Sequence, residues 1–381
     1  IKEGTFDNVP NLKYLDLREN YIYPVNFFSF GYQKKTSTST ENKISVIRNV
    51  YSELRYLDLD YANIIELHNI FISTFLNITT LSLNNNKLRY LTYSSFINMP
   101  NLRKLHISSN MISSINVDTF ENQNLLEELY LDDNDLSFLP KNWCEFMKNL
   151  RYLNLSGNKI TYLEMDSEFF ASLVRNIMLS LRGNMIYNID KKAFFKFTEL
   201  EFLDLSENKL QSLPFGWNKN LSMLKYLNLE SNYFQNIEGM MLNSLFTLQK
   251  LYIKNNDIMS LYSLSLEGMR KLLNLNVSGN CIKTVTENAF RYTTNLVSLD
   301  LSRNEIESLP ENIFRGLESL LELRMSHNRF ISIPNICALH SVRHVDLSYN
   351  RIVEINSDSF CFTTFIETLN LSNNHILNIN N

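Results

Sequence analysis

The side chains that could do chemistry are few in this chain of 381 residues. Among its four cysteines and six histidines, no group has the CxxC or Cys/His spacing of a zinc site. The sequence contains no glycine-rich phosphate loop, no GxSxG nucleophile elbow and no HExxH helix motif. We therefore expect no catalytic residue, no metal site and no cofactor, and a function that depends on surfaces rather than on a reactive centre.

The polar residues follow a repeat with the pattern L-x-x-L-x-L-x-x-N-x-L, as in Leu200–Leu210 and Leu296–Ile306. Its first half alternates apolar and polar residues, so each copy predicts a short strand whose leucines point inward. The asparagine falls in the turn after the strand, where its amide can bond backbone groups of neighbouring coils. Over most of the chain it recurs every 24 residues, at Asn86, Asn110, Asn134 and Asn158, then at Asn184, Asn208, Asn232, Asn256, Asn280, Asn304 and Asn328.

A phenylalanine follows the asparagine by ten residues in many repeats. It occurs at Phe30, Phe96, Phe120, Phe194, Phe290, Phe314 and Phe360. Rings stacked from coil to coil would form an aromatic spine in the returning arm of each repeat, while the strands would pair about 4.8 Å apart in one parallel sheet. The sequence therefore predicts an α/β horseshoe, namely a right-handed leucine-rich-repeat solenoid with a parallel concave sheet and a mostly irregular convex arm.

We expect residues 1–381 to form a single solenoid of about 15 repeats, with an irregular insertion at residues 31–53. The insertion contains the polar, Ser/Thr-rich segment Tyr32–Lys43, which predicts a loop. Two interpretations stay open, a tolerated surface insertion and a loop that contacts a ligand or is processed. Both chain ends fall within a repeat, which predicts that the sequence is part of a longer array.

The cysteines differ in their position within the repeat. Cys144 takes the place of a spine phenylalanine, which predicts a buried thiol, and Cys281 directly follows a repeat asparagine. Cys337 and Cys361 each precede the next repeat asparagine by 13 residues, so they occupy equivalent places in adjacent coils. Coils about 5 Å apart would bring these two within disulfide range, whereas a wider spacing on the convex side would leave both thiols free.

Aromatic and acidic residues recur on the predicted concave face. Most of the aspartates belong to the phrase LDLS and are explained by the repeat itself. Two coils exceed that pattern and a third is basic. Their residues are Tyr56, Asp58, Asp60 and Tyr61 in the first, Glu128, Tyr130, Asp132 and Asp133 in the second, and Lys250, Tyr252 and Lys254 in the third. Rings beside clustered charge are typical of protein-binding hot spots, although a solvated polar face is the plainer interpretation.

N-x-S/T sequons occur at Asn77, Asn154, Asn220, Asn276 and Asn370. A chain this rich in Asn, Ser and Thr contains as many by chance, so their number is no evidence of secretion. In a secreted protein they would be candidates for glycosylation. Sugars at Asn154, Asn276 and Asn370 would block protein contacts, because these residues lie between the two leucines of a strand.

The phrases LSENKLQSLP at 205–214, VSGNCIKTVTENAF at 277–290 and LSRNEIESLPENIFRGL at 301–317 resemble the typical repeats of animal extracellular proteins. They are similar to those of Toll-like receptor ectodomains and of the photoreceptor adhesion protein chaoptin. The resemblance extends over essentially the whole chain. It implies a cell-surface or secreted glycoprotein that binds protein or, for the Toll type, a microbial or cytokine-like ligand. It carries over no individual site residue.

We therefore expect an extracellular recognition module of an adhesion protein or a signalling receptor of the Toll-like type, secreted or on the extracellular side of the plasma membrane. Its concave or lateral surface would hold a protein ligand or a second copy of the chain, as in a homodimer. The alternative is an intracellular scaffold or regulatory subunit. The net charge of −4 predicts no nucleic-acid partner, a Toll-type microbial ligand excepted, and without a long apolar run any membrane attachment lies outside this sequence.

Overall fold

The computed structural model describes residues 9–21, 53–67, 76–163, 173, 175, 177–355, 360 and 363–379. The predicted insertion lies outside these residues except for Glu53, as do Phe30 and Cys361. Two compact units are present. Unit 1 comprises Ile1–Thr161 and Asp166–Leu179, and unit 2 comprises Tyr162–Met165 and Ser180–Asn381.

Short strands make up the regular structure. In chain order they are β1 (Tyr14–Asp16), β2 (Tyr56–Asp58), β3 (Thr80–Ser82), β4 (Tyr90–Leu91), β5 (Lys104–His106), β6 (Ser114–Ile115), β7 (Glu128–Tyr130), β8 (Tyr152–Asn154), β9 (Tyr162–Leu163), β10 (Met178–Ser180), β11 (Asn188–Ile189), β12 (Phe202–Asp204), β13 (Tyr226–Asn228), β14 (Lys250–Tyr252), β15 (Ser260–Leu261), β16 (Asn274–Asn276), β17 (Thr284–Val285), β18 (Ser298–Asp300), β19 (Glu322–Arg324), β20 (His344–Asp346), β21 (Glu354–Ile355), β22 (Thr368–Asn370) and β23 (Asn378–Ile379). Single 3₁₀ turns lie at Tyr93–Ser95 and Glu238–Met240.

The three-residue strands form a parallel sheet in each unit. In unit 1 the order is β1-β2-β3-β5-β7-β8-β10, and in unit 2 it is β12-β13-β14-β16-β18-β19-β20-β22. Each strand pairs with its equivalent one repeat later, as Leu81 does with Leu105. The central residue of these strands is a buried leucine, or Val345 in β20, except for the exposed Leu369 of β22. Its neighbours along the strand point the other way, as the alternation requires. We call the surface made by these outward side chains the sheet face.

The returning arms contain the predicted aromatic spine. In unit 1, Phe96 stacks on Phe120 with ring centroids 5.8 Å apart, and Phe120 meets the edge of Trp143 at 6.0 Å. In unit 2, Phe194 packs edge-on against Trp217 at 5.8 Å. Tryptophan thus continues the spine in coils without a phenylalanine at the expected position. Cys144, beside Trp143, is fully buried as predicted.

In most described coils a buried asparagine side chain joins the coil to the one before it. Asn110 Nδ2 donates to the carbonyl oxygen of Leu83 in the preceding coil at 3.0 Å and to that of Ile107 in its own coil at 3.2 Å. Its Oδ1 accepts the backbone N–H of Leu88 at 3.1 Å. The same bonds recur in unit 2, for example at Asn256. They satisfy backbone groups that the stacking of coils would otherwise bury unpaired.

One coil of unit 1 departs from this pattern. Ala62 stands at the asparagine position, is fully buried and offers no amide. Tyr61 before it has a φ of 55°, as the residue before the asparagine has in other coils, but Asn63 after it also adopts a positive φ, of 58°. The turn is therefore locally distorted where the asparagine falls one position late.

The cysteines fall into two states. Cys144 and Cys281 are outside any disulfide, whereas Cys337 is disulfide-bonded. Because Cys361 lies outside the described residues, the pairing of Cys337 with Cys361 stays a prediction.

Replacing Asn256 by alanine should lower the free energy of unfolding by about 1–3 kcal/mol, because the Phe234 N–H would stay buried without a partner. The Leu229 carbonyl would keep only its bond from Asn232. Urea denaturation followed by circular dichroism measures this loss. Asn243→Ala is the matched control because Asn243 is exposed in the same unit. Equal denaturation midpoints for the two variants would contradict the structural role of the buried asparagines.

Alkylation of the unreduced native protein, followed by peptide mapping, should label the half-exposed Cys281. Cys144 should be labelled only after denaturation exposes it. A linked peptide containing Cys337 and Cys361 is expected, and reduction should release it. Alkylated Cys337 in unreduced protein would disprove the bond.

Candidate functional site

Aromatic rings stack across neighbouring strands on the sheet face of unit 1. Tyr14 and Tyr56 lie face to face on β1 and β2, with centroids 4.3 Å apart and ring planes 8° apart. Further along, His106 stacks on Tyr130 at 4.4 Å, and Tyr130 leans on Tyr152 at 4.7 Å. The first group joins two coils and the second joins three, which immobilises rings that isolated coils would leave free.

The first group is coupled to a buried carboxylate. The Tyr56 hydroxyl donates to Asp58 Oδ2 at 3.2 Å, and Arg18 Nε lies 3.5 Å from the same oxygen. Asp58 is only 4% exposed, and burial raises its pKa even though the Asp60 N–H and Arg18 favour its charged form. Burial, followed by the nearby charge of Asp58, also raises the pKa of the Tyr56 hydroxyl. Asp58 is therefore a supporting residue beneath the ring rather than a freely solvated charge.

Two further acidic residues accept hydrogen bonds from neighbouring coils. Asp60 Oδ1 accepts the Ser82 hydroxyl at 2.7 Å and the Asn84 N–H at 2.7 Å. Asp132 Oδ1 accepts the Ser108 hydroxyl at 2.7 Å. These bonds hold both carboxylates at fixed positions on the sheet face, so the predicted acidic residues form an ordered surface.

The second ring group is also framed by charge. Glu128 forms an ion pair with Lys104 at 2.7 Å and accepts the Tyr130 hydroxyl at 3.1 Å. Burial, and then the Glu128 charge, raises the pKa of Tyr130 to about 12. Burial lowers the pKa of His106 from 6.5, and the Glu128 charge opposes this shift. The predicted patch around Tyr130 thus includes His106 and Tyr152, which the spacing within one repeat does not reveal.

Tyr61 and Asp133 lie outside the strands, in the turns that precede the asparagine positions, with φ angles of 55° and 54°. Both are exposed. Asp133 lies directly against Gly157 of the next coil, where a Cβ would stand 2.1 Å from Asp133 Oδ1. Glycine at 157 therefore makes room for this carboxylate at the rim of the sheet face.

A third ring group lies on the sheet face of unit 2. Phe202 stacks on Tyr226 at 4.2 Å, and Tyr226 leans on Tyr252 at 5.3 Å. Lys250 is exposed and Lys254 half-buried beside it. Glu230 is on the same surface and interacts with Lys254. Burial raises the pKa of Glu230, and the positive charge of Lys254 opposes that rise. The patch predicted to be basic therefore contains a carboxylate.

Several aspartates of the LDLS phrase have a structural role. Asp204 Oδ1 accepts the Ser206 hydroxyl at 2.6 Å, and Asp346 accepts that of Ser348 at 2.7 Å.

The sequon asparagines occupy three kinds of position. The Oδ1 atoms of Asn154 and Asn276 accept hydrogen bonds from the serine hydroxyls of their own sequons at 2.6 Å and 2.7 Å. Both asparagines are half-buried on the sheet face, whereas Asn370 is exposed there. Asn77 and Asn220 are partly exposed outside the strands.

A depression of about 660 Å³ lies away from the sheet face in unit 2, lined by residues including Met259, Tyr262, Leu264 and Glu238. The Ile237 carbonyl oxygen accepts the Met240 N–H inside the 3₁₀ turn, and the Tyr262 N–H of the next coil donates to the Ser265 hydroxyl. No sequence signal in a single repeat predicts this depression.

In the part of the chain that the structure describes, no cluster of His, Cys, Asp and Glu suits a metal ion, and no helix has the length and apolarity to cross a membrane.

His106 should titrate below pH 6.5, because burial disfavours its charged form. The unfolded chain binds this proton more readily, so the contribution to stability is intact above pH 6.5 and falls as the pH drops below that value. An NMR titration of the imidazole Cε1–H gives the midpoint, and the His106→Phe variant should lose this pH-dependent part of the free energy of unfolding. A midpoint at or above 6.5 would contradict the burial of His106 against Tyr130.

Solved structures with similar folds come from several kinds of organism. A leucine-rich-repeat protein of Leptospira interrogans matches with a TM-score of 0.80 and 25% identity, covering 99% of this chain and 88% of its own. Drosophila Toll, solved in complex with Spatzle, matches with a TM-score of 0.73 and 21% identity. That match covers 87% of this chain and 48% of the Toll structure's chain, so the present chain spans about half of that protein.

TLR13 in complex with a single-stranded RNA matches with a TM-score of 0.55 and 21% identity, covering 95% of this chain and 64% of its own. No curated protein matches the chain significantly in sequence.

The family model for the leucine-rich repeat matches residues 52–112, 100–160, 175–234, 198–258, 246–306, 270–330 and 294–352. A second leucine-rich-repeat model matches residues 149–173. Solenoids of this type work by binding along an extended surface rather than by catalysis. Since the matches cover more than half of the sequence, the chain belongs to the leucine-rich repeat family and is a protein-binding module.

Proposed function

We propose that the chain is the extracellular recognition module of a cell-surface receptor or adhesion protein and that the sheet face of unit 1 contacts its protein partner. The observation that carries this proposal is the ring group of His106, Tyr130 and Tyr152, which is fixed by stacking and framed by Glu128 and Asp132. Ordered rings cost little entropy on binding, and aromatic residues contribute a large share of the binding energy at interfaces.

Charge supports a partner with basic residues. Asp60 and Asp132 keep at least one oxygen in fixed position through bonds from Ser82 and Ser108, so neither has to be ordered when a partner binds. Basic residues of the partner opposite Asp60 and Asp132 would mainly raise the association rate and select the orientation in which the partner binds. The rings supply the contact area, and the carboxylates select which surface can approach it.

Two observations favour an extracellular location over an intracellular scaffold. Cys337 is disulfide-bonded, and such bonds persist mainly in oxidising compartments. The structural neighbours include Drosophila Toll bound to Spatzle and a complex of Latrophilin 3, Unc5D and FLRT2. The similarity to the Leptospira protein favours neither an extracellular nor an intracellular location. The intracellular scaffold therefore stays the competing hypothesis.

Photo-crosslinking tests the proposal. The chain is secreted from cultured cells with p-benzoylphenylalanine in place of Tyr130, applied to intact cells of the source organism and irradiated, and the attached protein is identified by mass spectrometry. We expect a cell-surface or secreted protein. A matched protein carries the same group at Tyr262, which is an exposed tyrosine in the lateral depression of unit 2.

Crosslinking from position 262 but not from position 130 would move the binding surface to the lateral side of unit 2. Attachment to the same protein in a cytosolic extract, with none on intact cells, would favour the intracellular scaffold instead.

A further inference from the structure

The sequon at Asn220 lies in the returning arm of unit 2, away from the sheet face. Asn220 Nδ2 donates to the Phe195 carbonyl oxygen in the preceding coil at 2.7 Å. The serine of the sequon, Ser222, is exposed, and its carbonyl oxygen accepts the Thr247 hydroxyl of the following coil at 3.0 Å. The amide of Asn220 has two N–H groups, so one can carry a sugar while the other keeps its bond.

Exposed apolar side chains surround this sequon. Phe195 in the preceding coil is 46% exposed, Met223 in the same coil is 43% exposed and Phe246 in the following coil is 61% exposed. We call these three residues the arm strip. The ring of Phe246 leans over Gly268, where a Cβ would lie 2.8 Å from it, so it lies flat along the coils rather than projecting from them.

The arm strip is unusual for its position in the repeat. Phe195 lies eleven residues after its repeat asparagine and Phe246 lies fourteen after its own. The equivalent residues of the other 24-residue coils between Asn184 and Asn328 are polar. They are Lys219, Asn243, Glu267, Arg291 and Arg315 at the first position, and Thr198, Ser222, Arg270, Thr294 and Glu318 at the second. The two aromatic exceptions occur in the coils directly before and after the one that holds Asn220.

We propose that Asn220 carries an N-linked glycan whose first sugars lie over the arm strip, with Phe195 as the main contact. The inference rests on the proposed extracellular function, because N-glycans are added on the secretory route. The C–H faces of N-acetylglucosamine cover apolar rings while its hydroxyls stay in water. A contiguous exposed apolar patch otherwise favours self-association, so the glycan both removes this surface from solvent and keeps the convex arm of unit 2 from binding partners.

The test uses the whole chain secreted from insect cells. Release with peptide-N-glycosidase F in heavy-oxygen water, followed by mass spectrometry, reports occupancy at each sequon. Ser222→Ala removes the Asn220 glycan and keeps the asparagine, and it should lower the thermal midpoint by about 2–4 °C. In a Phe195→Ser background the same change should leave the midpoint unchanged. Ser372→Ala, which removes the Asn370 glycan from the sheet face, is the control and should have equal effects in both backgrounds.

A second measurement does not depend on stability. The N-acetyl methyl protons of the first sugar at Asn220 should resonate upfield of those at Asn370 by NMR because of the ring current of Phe195, and Phe195→Ser should abolish the difference. Equal methyl shifts, or equal losses of thermal midpoint in both backgrounds, would overturn the inference. An empty Asn220 with other sequons occupied would overturn it while leaving the extracellular proposal intact, whereas no occupied sequon at all would contradict both.

Discussion

The structure depends on the hydrogen bonds made by the buried asparagine that recurs in most described coils. A single coil cannot bury its own leucines, so each coil must lie close to the next, and this closeness removes water from the backbone of the turns. The asparagine amide replaces that water with a donor to carbonyl oxygens of two coils and an acceptor for one N–H, as at Asn110. Because these bonds fix the spacing between coils, they also fix where every outward side chain of the sheet face stands.

The proposed binding surface follows from this spacing. Residues at equivalent strand positions are brought close enough for rings to stack, so His106 and Tyr130, one repeat apart, lie 4.4 Å from each other. The same proximity lets Ser108 donate to Asp132 across the coils. Side chains that would be flexible on an isolated strand thereby become ordered, and ordering before binding is what makes a small group of rings an effective contact.

Much of the fold could be predicted from the sequence because it depends on local periodicity. The alternating leucines, the asparagine turns and the aromatic spine are each set by residue type and spacing within one repeat. The candidate site was predicted only in part. Tyr130 and Asp132 stand out by type, but the contribution of His106 depends on a contact between coils. The burial of Asp58, which turns an apparent surface charge into a support for Tyr56, is likewise a property of neighbouring coils.

Elements outside the repeat were harder to predict. The depression at Met259 and Tyr262 lies beside the 3₁₀ turn at Glu238–Met240, which the repeat pattern does not predict. The arm strip depends on two phenylalanines at positions that are polar elsewhere in unit 2, so it emerges only when coils are compared with each other.

If ordered rings on the sheet face of unit 1 contact the partner protein, removing one of them must weaken binding. The dissociation constant of the crosslinked partner is measured for the Tyr130→Ala and Tyr262→Ala variants, each shown to be folded. We expect Tyr130→Ala to weaken binding by about 30-fold, the loss typical of a hot-spot ring, and Tyr262→Ala to leave it unchanged. Unchanged affinity for Tyr130→Ala would show that the rings of unit 1 do not contact the partner.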